Sequence, residues 1–532
     1  MPQMGYAHRP VALGREGMVA SAHPVATLTG IEVLKSGGTV ADAAVAVNAV
    51  LGVAQPNACG VGGDFFCLYY EAASHRVHFL NGAGRSGARA SVEELRRRSL
   101  DHLPVRGPAS VSVPGCVRAW GMLLERFGTR PLGELLARAI HYAEAGFATT
   151  HLVSQATAEQ GALIGDLEWR RIYTPNGRGP ATGDVLKQPD LARTLTALGQ
   201  EGPDLFYRGR IAQAIATRLE REGFVTAADL AAHSGEWGEP LVIDYRGFTV
   251  YETPPPTQGV AALLALNLLE GFAVGRLRYH SAEHLHLLVE MVKLAYADRD
   301  RWIADPGQSS VPVGGLLVKD YAAGRRKAFD PKKAQIYPWG DPAGDTTGFV
   351  IADRQGNMIS VIQSLFSSFG AGVVPEGTGV ILHSRGSYFN TDPAHPNCFG
   401  PRKRPFHTLI AAIVTRKDQP VMGFATMGAD GQAQFHLQVL TNVLDFGMEI
   451  QEAIERPRFL MGRFKPGEPV DVLRLEGRVG RGALGGLARR GHRVQVVSDF
   501  FDQMGHAQGI VARDGTLMGG ADPRGDGVAL GY

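Results

Sequence analysis

Two hydrophobic patterns near the start of the chain predict a helix followed by strands. The Ala- and Val-rich run from Val40 to Val53 is apolar on nearly every side and follows a Thr39–Asp42 segment with the form of a capping box. This run predicts a buried helix, and it is too short to cross a bilayer. The aromatic run from Phe65 to Tyr70 and the run from Val77 to Leu80 are typical of strands.

A second amphipathic pattern begins at Ser281. Leu285, Leu288 and Val292 recur at helical spacing with polar residues between them. This pattern predicts a core-packing helix from Ser281 to Trp302.

The region from Phe329 to Gly344 is rich in Pro, Gly and charged residues and has no period, so it predicts an exposed connector. Immediately afterwards, Thr347–Ala352 and Asn357–Ile362 flank the turn-like Asp353–Gly356, as the two strands of a hairpin do. A linker therefore leads directly into a strand.

Three further elements are predicted in the last third of the chain. Strands are expected at Thr408–Val414 and Val421–Thr426, and a helix from about Gln432 to Phe446. The pattern after residue 345 is that of an α+β protein.

Composition narrows the class of protein. The 532 residues are 44% hydrophobic and 20% charged, which is typical of a folded soluble chain. A formal charge of +2 argues against nucleic-acid binding, which depends on neutralising phosphates. No stretch is long and apolar enough for a membrane span, and the N-terminus lacks the apolar core of a secretory signal, so we expect a cytoplasmic protein without a membrane partner. The four cysteines lack metal-site spacing and are expected to be free thiols.

A glycine-rich segment offers one alternative function. Gly82–Gly87 reads GxGxxG after a predicted strand, which is a weak indication of dinucleotide binding. The next capping signal begins at Ser91, however, whereas a dinucleotide fingerprint places its third glycine in the opening of the helix. Arg85 is the more informative residue, because an arginine among glycines is well placed to bind a carboxylate through two parallel hydrogen bonds.

Two hydroxyl residues stand where the connector meets the strand, in Asp345-Thr346-Thr347-Gly348. Capping or turn chemistry is one explanation. The other is an N-terminal nucleophile, in which cleavage of the preceding peptide bond frees an α-amine that activates the threonine Oγ. Such a site also needs oxyanion donors, and the small residues of Met427–Gly431 allow close approach to backbone N–H groups.

Taken together, these segments resemble the γ-glutamyltransferase family of N-terminal nucleophile hydrolases over nearly the whole chain. The segments that carry the resemblance are GGTVADAAVAVNAVLGVAQPNACGVGGDFF, NGAGR, SVSVPGC, ETPPPTQGV, DTTGFVIADRQGNMISV, GPRKRPFHTL, MGADGQAQ and ADPRGDGVALGY. The resemblance implies a four-layer αββα sandwich made as a proenzyme that cuts itself between Asp345 and Thr346. Segments 1–345 and 346–532 would then stay associated in one globular unit, which could pair further as a dimer.

The same resemblance implies roles for individual residues. Thr346 would be the nucleophile, Ser364 its supporting hydroxyl, and the amides of Gly428 and Ala429 the oxyanion donors. Arg85 would hold the substrate carboxylate, and Thr408 would supply a second assisting hydroxyl.

Several positions depart from the family pattern in ways that affect substrate choice. Phe366, Arg385 and Tyr388 stand where members acting on γ-glutamyl groups usually hold an α-ammonium with Asn, Gln or Asp. Arg385 has five donors and no acceptor, so it favours an anion. Gly348 and His407 replace a frequent histidine and serine, and we expect Arg385, Tyr388 and His407 to contact substrate. This segment resembles the branch that includes oxamate amidohydrolase and cephalosporin acylases.

The sequence therefore predicts a self-processing amidohydrolase or acyltransferase that needs no cofactor or metal and acts on a small amide bearing a carboxylate. Its acyl donor is a γ-glutamyl group, or alternatively an oxamate, glutaryl or cephalosporin side-chain amide. An acidic donor without an α-amine should react at least as well as its γ-glutamyl counterpart. Outside this class, the alternatives are a dinucleotide-binding oxidoreductase and a catalytically silent binding protein.

Overall fold

The strands of the protein were located in a computed structural model, which describes residues 7–336, 345–462 and 469–532. They are β1 (Ala12–Gly14), β2 (Gly17–Ser21), β3 (Asp64–Glu71), β4 (Arg76–Asn81), β5 (Phe147–Ala148), β6 (Val185–Leu186), β7 (Glu236–Gly238), β8 (Leu241–Tyr245), β9 (Phe248–Glu252), β10 (Asp345–Asp353), β11 (Met358–Phe366), β12 (Ala411–Arg416), β13 (Gln419–Thr426), β14 (Phe459–Met461), β15 (Val472–Glu476), β16 (Arg493–Val497), β17 (Ala507–Arg513), β18 (Thr516–Ala521) and β19 (Val528–Gly531).

The helices lie between and after these strands. They are α1 (Pro24–Lys35), α2 (Val40–Ala54), α3 (Val92–Arg97), α4 (Cys116–Phe127), α5 (Leu132–Ala145), α6 (His151–Gly161), α7 (Leu167–Tyr173), α8 (Pro189–Glu201), α9 (Asp204–Arg208), α10 (Arg210–Leu219), α11 (Ala227–Ala231), α12 (Gly259–Leu269), α13 (Ala282–Trp302), α14 (Val313–Leu316), α15 (Lys319–Arg326), α16 (Gln432–Leu444), α17 (Ile450–Glu455) and α18 (Arg481–Arg489). Among the helices that the structure describes, none is both long and apolar enough to cross a membrane.

Two seven-stranded sheets form the centre of the molecule. Their strand orders are β1-β18-β17-β13-β12-β9-β8 and β19-β2-β10-β11-β3-β4-β7. A layer of buried side chains lies between them, with Phe66 and Ile362 from one sheet and Ile413 and Ile510 from the other. Burying the inner faces of two antiparallel sheets against each other is the usual source of stability in a sandwich.

Helices cover both outer faces of this sandwich. Helices α1, α2, α4, α5 and α8 pack on the sheet that contains β10, and α12, α13, α16 and α17 pack on the other. The predicted four-layer αββα sandwich is therefore confirmed.

Each sheet mixes strands from both predicted segments. The sheet around β10 takes β2, β3, β4 and β7 from residues 1–345 and β10, β11 and β19 from residues 346–532. The other sheet is mixed in the same way. After a cut before Thr346, the two pieces would still be hydrogen-bonded to each other in both sheets. They would share one hydrophobic core and therefore stay associated.

Local signals in the sequence account for α2 and its position. Thr39 and Asp42 form the predicted capping box, with Thr39 N–H donating to the Asp42 carboxylate at 2.9 Å and Asp42 N–H donating to Thr39 Oγ1 at 3.1 Å. Every residue of the helix is buried. Its C-terminal cap, Gln55, donates to the Ala22 carbonyl and thereby directs its own side chain toward β10.

Most predicted elements are confirmed, including the strands around Phe65–Tyr70, the helix that begins after Ser281, the hairpin of β10 and β11, and the helix that starts at Gln432. Residues 337–344 of the predicted connector lie outside the described residues. The strand predicted from Thr408 begins at Ala411 instead, because the residues before Ala411 form hydrogen bonds with groups that do not belong to the neighbouring strands. The His407 carbonyl accepts from Gln258 N–H, and Ile410 N–H donates to the Gln432 side chain.

Candidate active site

Thr346 lies at the start of β10, where the pairing with β11 is irregular. Asp345 pairs with Phe366 and Thr347 with Gln363, so Thr346 of β10 stands opposite two residues of β11, Ser364 and Leu365. Such a bulge disrupts the ladder locally and re-aims the side chains around it. Thr346 is only 2% exposed, and its hydroxyl lies 3.3 Å from the Ser364 hydroxyl.

The two neighbouring threonines have different surroundings. The Thr346 hydroxyl accepts a hydrogen bond from Gln432 Nε2 at 3.4 Å, at the start of α16. The Thr347 hydroxyl donates to Gln55 Oε1 at 3.2 Å, at the end of α2. Successive residues of a strand face opposite sides of the sheet, which explains this division. Only the Thr346 hydroxyl is directed toward Ser364.

The predicted oxyanion loop follows β13 and leads into α16. Gly428 and Ala429 have φ values of 133° and 50°, and a Cβ atom on Gly428 would lie 2.5 Å from the Phe435 ring. Gln258 holds the loop by donating to the Ala429 carbonyl at 3.1 Å. Within the described residues, the N–H groups of Gly428 and Ala429 donate no hydrogen bond. They are available as donors to a ligand.

A cavity of about 620 Å³ brings the threonine and this loop together. The residues that line it are Ala22, Gln55, Asn57, Ala58, Val105, Arg106, Leu152, Val153, Gln155, Ala156, Glu159, Gln160, Leu163, Thr346, Thr347, Gly348, Phe366, Ser367, Ser368, Met427, Gly428, Ala429, Asp430, Gly431, Leu460, Phe501, Asp502, Gln503 and His506. Its volume is typical of a small-molecule site. A threonine hydroxyl and unpaired backbone donors in one cavity are groups that acyl transfer can use.

The structure does not place Arg85 at this cavity. Its guanidinium lies 3.0 Å from the Asp305 carboxylate and 3.2 Å from the Glu236 carboxylate, and it donates to the Arg402 carbonyl. These partners are distant in sequence, so the glycines around Arg85 gave no indication of them. The assignment of Arg85 as the substrate-carboxylate residue finds no support in this arrangement.

Arg385 also lies outside the cavity lining and is fully buried. Its guanidinium packs over the Phe366 ring at 4.5 Å, lies 3.6 Å from the Asp64 carboxylate and donates to Thr408 Oγ1 at 3.3 Å. Burial lowers the pKa of Arg385 to about 10, and Asp64 opposes that shift. Arg385 is therefore placed behind Phe366, which itself lines the cavity.

His407 and Thr408 belong to the same buried layer. His407 Nδ1 lies 3.9 Å from the Asp64 carboxylate. Burial lowers the pKa of His407 well below its usual range, and the Arg385 charge adds to this effect. The imidazole is thus neutral. Neither residue lines the cavity, and their contact with substrate stays a prediction.

Tyr388 acts through Asp430. Its hydroxyl donates to Asp430 Oδ1 at 2.8 Å, and Arg299 makes two bonds to the same carboxylate at 2.9 and 3.0 Å. Asp430 follows Ala429 and lines the cavity. Tyr388 thus supports the loop that carries Gly428 and Ala429, and its contact with substrate stays a prediction.

The residues of the opposite wall were not predicted from the sequence. Arg106, Gln160 and the apolar face of α6 line the cavity together with Thr346. No periodic or spacing signal distinguishes Arg106, which stands alone shortly before the SVSVPGC segment. Gln432 could have been found, because it lies within the MGADGQAQ segment.

The glycines of the GxGxxG segment face protein backbone. A Cβ on Gly84 would lie 1.6 Å from the Val113 carbonyl oxygen, and one on Gly87 would lie 1.9 Å from the Phe224 carbonyl oxygen. Helix α3 begins only after Ser91, which caps it. Protein backbone fills the space next to these glycines, so no phosphate of a dinucleotide can be bound there.

One group of metal-ligand side chains occurs among the described residues, away from the cavity. His286, Glu290 and His492 are buried with their ligand atoms within 4.8 Å of one another. His286 Nδ1 is hydrogen-bonded to His492 Nε2 at 2.7 Å, and the Lys293 ammonium lies 2.7 Å from Glu290 Oε1. Lys293 already neutralises the only carboxylate of the group, which disfavours a divalent cation there. The four cysteines are free, as predicted.

Comparison with known proteins places these features in a family. The sequence model described as gamma-glutamyltranspeptidase matches residues 26–532. The chain is 38% identical to the glutathione hydrolase-like YwrD proenzyme of Bacillus subtilis, over 98% of this chain and 99% of that one. It is 35% identical to the oxamate amidohydrolase proenzyme of Klebsiella pneumoniae, over 97% and 98% of the two chains. The crystal structure of cephalosporin acylase from Bacillus halodurans superposes with a TM-score of 0.92 at 35% identity, covering 100% of this chain and 99% of that one.

Proposed function

The chain belongs to the gamma-glutamyltranspeptidase family, and we propose that it is a self-processing amidohydrolase whose nucleophile is Thr346. The observation that carries the proposal is the shared cavity, in which the Thr346 side chain and the amides of Gly428 and Ala429 meet. Family members are hydrolases or transferases acting on amide bonds. The proposal adds the acting residues and their order of action.

The first step is self-cleavage. Thr346 Oγ attacks the carbonyl carbon of Asp345, and the acyl group moves from nitrogen to oxygen to form an ester. Water then hydrolyses this ester, which frees the Thr346 α-amine and leaves a new carboxylate on Asp345. The amine is useless as a base while it is held in a peptide bond, so processing must precede turnover.

The catalytic cycle uses that amine. It accepts the proton of Thr346 Oγ as the oxygen attacks the substrate amide, and the Gly428 and Ala429 N–H groups stabilise the tetrahedral oxyanion. The leaving amine departs with the proton, and an acyl-threonine remains. Water, or a second amine, attacks that ester and releases the acyl group. Ser364, whose hydroxyl lies 3.3 Å from Thr346 Oγ1, supports the nucleophile throughout.

The acyl donor is an amide that bears a carboxylate. γ-Glutamyl amides are one class, as the glutathione hydrolase-like relative indicates by its name, and oxamate or cephalosporin side-chain amides are the other, as the remaining relatives indicate by theirs. No acceptor side chain from Phe366, Arg385 or Tyr388 reaches the cavity for an α-ammonium, which favours donors that lack one.

Intact-mass measurement tests the nucleophile. Wild-type protein is expected as two polypeptides, with the smaller beginning at Thr346. Thr346→Ala is expected to stay one chain. Thr347→Ala is the matched control, because it removes the adjacent hydroxyl that faces Gln55, and it should still cut. An intact wild-type chain that hydrolyses amides, or a Thr346→Ala chain that still cuts, would remove Thr346 from this role.

A further inference from the structure

Arg106 occupies one wall of the cavity that holds Thr346. It precedes a short 3-10 turn at Pro108–Ser110, and its guanidinium donates to the Gly370 carbonyl and to Gln160 Oε1. Both partners are neutral oxygens. The guanidinium is thus fixed in place at the cavity without being neutralised.

The charge of Arg106 lacks a counterion within the described residues. It makes no ion pair with an aspartate or glutamate there, including Glu159 on the same wall. Burial lowers the pKa of Arg106 to about 10, with no nearby charge contributing. The group therefore stays protonated at neutral pH, and its two hydrogen bonds to neutral oxygens offset only part of its desolvation cost.

The other arginines near the site differ in this respect. Arg85 is paired with Asp305 and Glu236, and Arg385 lies beside Asp64. Among the described residues that line the cavity, Arg106 is the only arginine or lysine. Glu159, Asp430 and Asp502 supply carboxylates to the same lining, so the Arg106 guanidinium itself is the point at which an anion in the cavity finds a permanent cation.

The size and lining of the cavity limit the molecule that carries the anion. A liquid water takes up about 30 Å³, so a volume near 620 Å³ holds far more than a two-carbon acid amide. Leu152, Val153, Leu163, Phe501 and Leu460 supply apolar surface. A ligand that fills this space combines an anionic group with an apolar portion.

We propose that Arg106 is the anion-binding residue of the substrate site and selects amides that carry a carboxylate together with an apolar alkyl or aryl portion. This inference rests on the proposed amidohydrolase function. The carboxylate can belong to the acyl group or to the amine that leaves. In either case, the planar guanidinium offers it two parallel hydrogen bonds.

Three chromogenic amides separate the two sources of the carboxylate. Valeryl 4-nitroanilide is neutral, glutaryl 4-nitroanilide carries the charge on an acyl group of the same carbon number, and valeryl 3-carboxy-4-nitroanilide carries it on the amine. Wild-type kcat/KM should be higher for one charged amide than for the neutral one. Arg106→Gln should lower that charged-to-neutral ratio by roughly 30-fold or more, as expected for one lost partner of a desolvated charge pair. A fall in all three rates at a constant ratio would overturn the proposal.

Arg85→Gln is the matched control. It is the same substitution at the arginine that the structure places in ion pairs, and it should leave the charged-to-neutral ratio unchanged even if it lowers stability. If Arg85→Gln lowers the ratio and Arg106→Gln does not, the anion site is at Arg85 and the proposal is wrong.

A binding measurement keeps the inference independent of turnover. Isothermal titration with valerate and its neutral analogue valeramide, on wild-type and Arg106→Gln protein, should give tighter binding of valerate only where Arg106 is present. Valerate that binds both proteins equally, or neither at millimolar concentration, would overturn the inference. Failure of the proposed function has a different signature, namely an uncut wild-type chain that hydrolyses none of the three amides.

Discussion

The Thr346 and Ser364 hydroxyls lie 3.3 Å apart at the edge of a cavity, one on β10 and the other on the neighbouring β11. Ser364 Oγ also accepts the Phe366 N–H at 2.7 Å. Phe366 has a φ of 77°, a conformation that non-glycine residues seldom adopt. One serine hydroxyl thus connects Thr346, the proposed nucleophile, to a strained turn that lines the cavity.

We expect Ser364→Ala to slow both self-cleavage and turnover by about 10- to 100-fold, since leaving buried partners unsatisfied costs about 1–3 kcal/mol. Timed gels of freshly expressed protein and single-turnover acylation rates measure the two effects. Ser360→Ala is the matched control, because Ser360 is equally buried on β11 but donates to the Phe424 carbonyl at 2.8 Å instead. Equal slowing by both variants would show that Ser364 acts only through general stability.

Gly428→Ala should reduce kcat strongly while the chain still folds. The added Cβ would lie 2.5 Å from the Phe435 ring in a residue whose φ is 133°, so the loop must shift and carry its N–H donors with it. Loss of one oxyanion donor typically costs about 100- to 1,000-fold in kcat.

Gly447→Ala controls for backbone strain in this comparison. Gly447 has a φ of 65° and open space around the position of a Cβ. The Gly447→Ala protein should lose stability on the order of 1 kcal/mol and keep the wild-type kcat. If Gly428→Ala retains wild-type kcat, the Gly428 and Ala429 amides do not stabilise the oxyanion.

The sequence predicted the parts of this site that depend on short stretches of chain. Thr39 and Asp42 cap each other across a single turn, so a local pattern is sufficient for that cap. At Thr346 the local pattern predicts the start of a strand but leaves capping and a nucleophile as alternatives, and only the family resemblance favours the nucleophile. The partners of Arg85 are Asp305 and Glu236, which only the folded sheets bring near it. Ion pairs between residues that are distant in sequence determine which arginine remains available to bind an anion. A single sequence does not contain that information.

Stability should fall as the pH drops below about 6.5, partly because of His233. Burial lowers the pKa of His233 to about 3, and the charges of Arg404, Arg118 and Arg85 contribute. The folded state thus excludes a proton that the unfolded chain binds, so stability is present above the ordinary histidine pKa and is lost as the pH decreases through this window. Between pH 7.5 and pH 5, this residue accounts for about 2 kcal/mol.

Urea unfolding at the two pH values measures this contribution, in a Thr346→Ala background expected to remain one chain. His233→Phe should lose about 2 kcal/mol less stability between pH 7.5 and pH 5 than its parent. His141→Phe, at an exposed position of α5, should show the parent's full loss. Identical pH dependence in all three proteins would show that His233 is protonated in the folded state.

Arg385→Gln distinguishes the sequence-based role of Arg385 from the one its surroundings indicate. If Arg385 contacts substrate, Arg385→Gln should shift the preference between γ-glutamyl and glutaryl anilides toward the γ-glutamyl compound. The structure instead buries it beside Asp64 and over the Phe366 ring. Burial lowers the pKa of both His383 and His407, so neither neighbouring imidazole supplies a replacement charge for Asp64.

We therefore expect Arg385→Gln to lower the free energy of unfolding by about 3–5 kcal/mol, because it leaves a buried carboxylate without its cation. Asp64→Asn combined with Arg385→Gln should recover part of that loss, since no uncompensated charge then remains. Urea unfolding in the uncut Thr346→Ala background measures both. The ratio of kcat/KM for the two anilides should change by less than about threefold in Arg385→Gln, which is below 1 kcal/mol. A large shift toward the γ-glutamyl compound at wild-type stability would contradict this placement, because it would require the Arg385 charge to act on the ligand in the cavity rather than on Asp64.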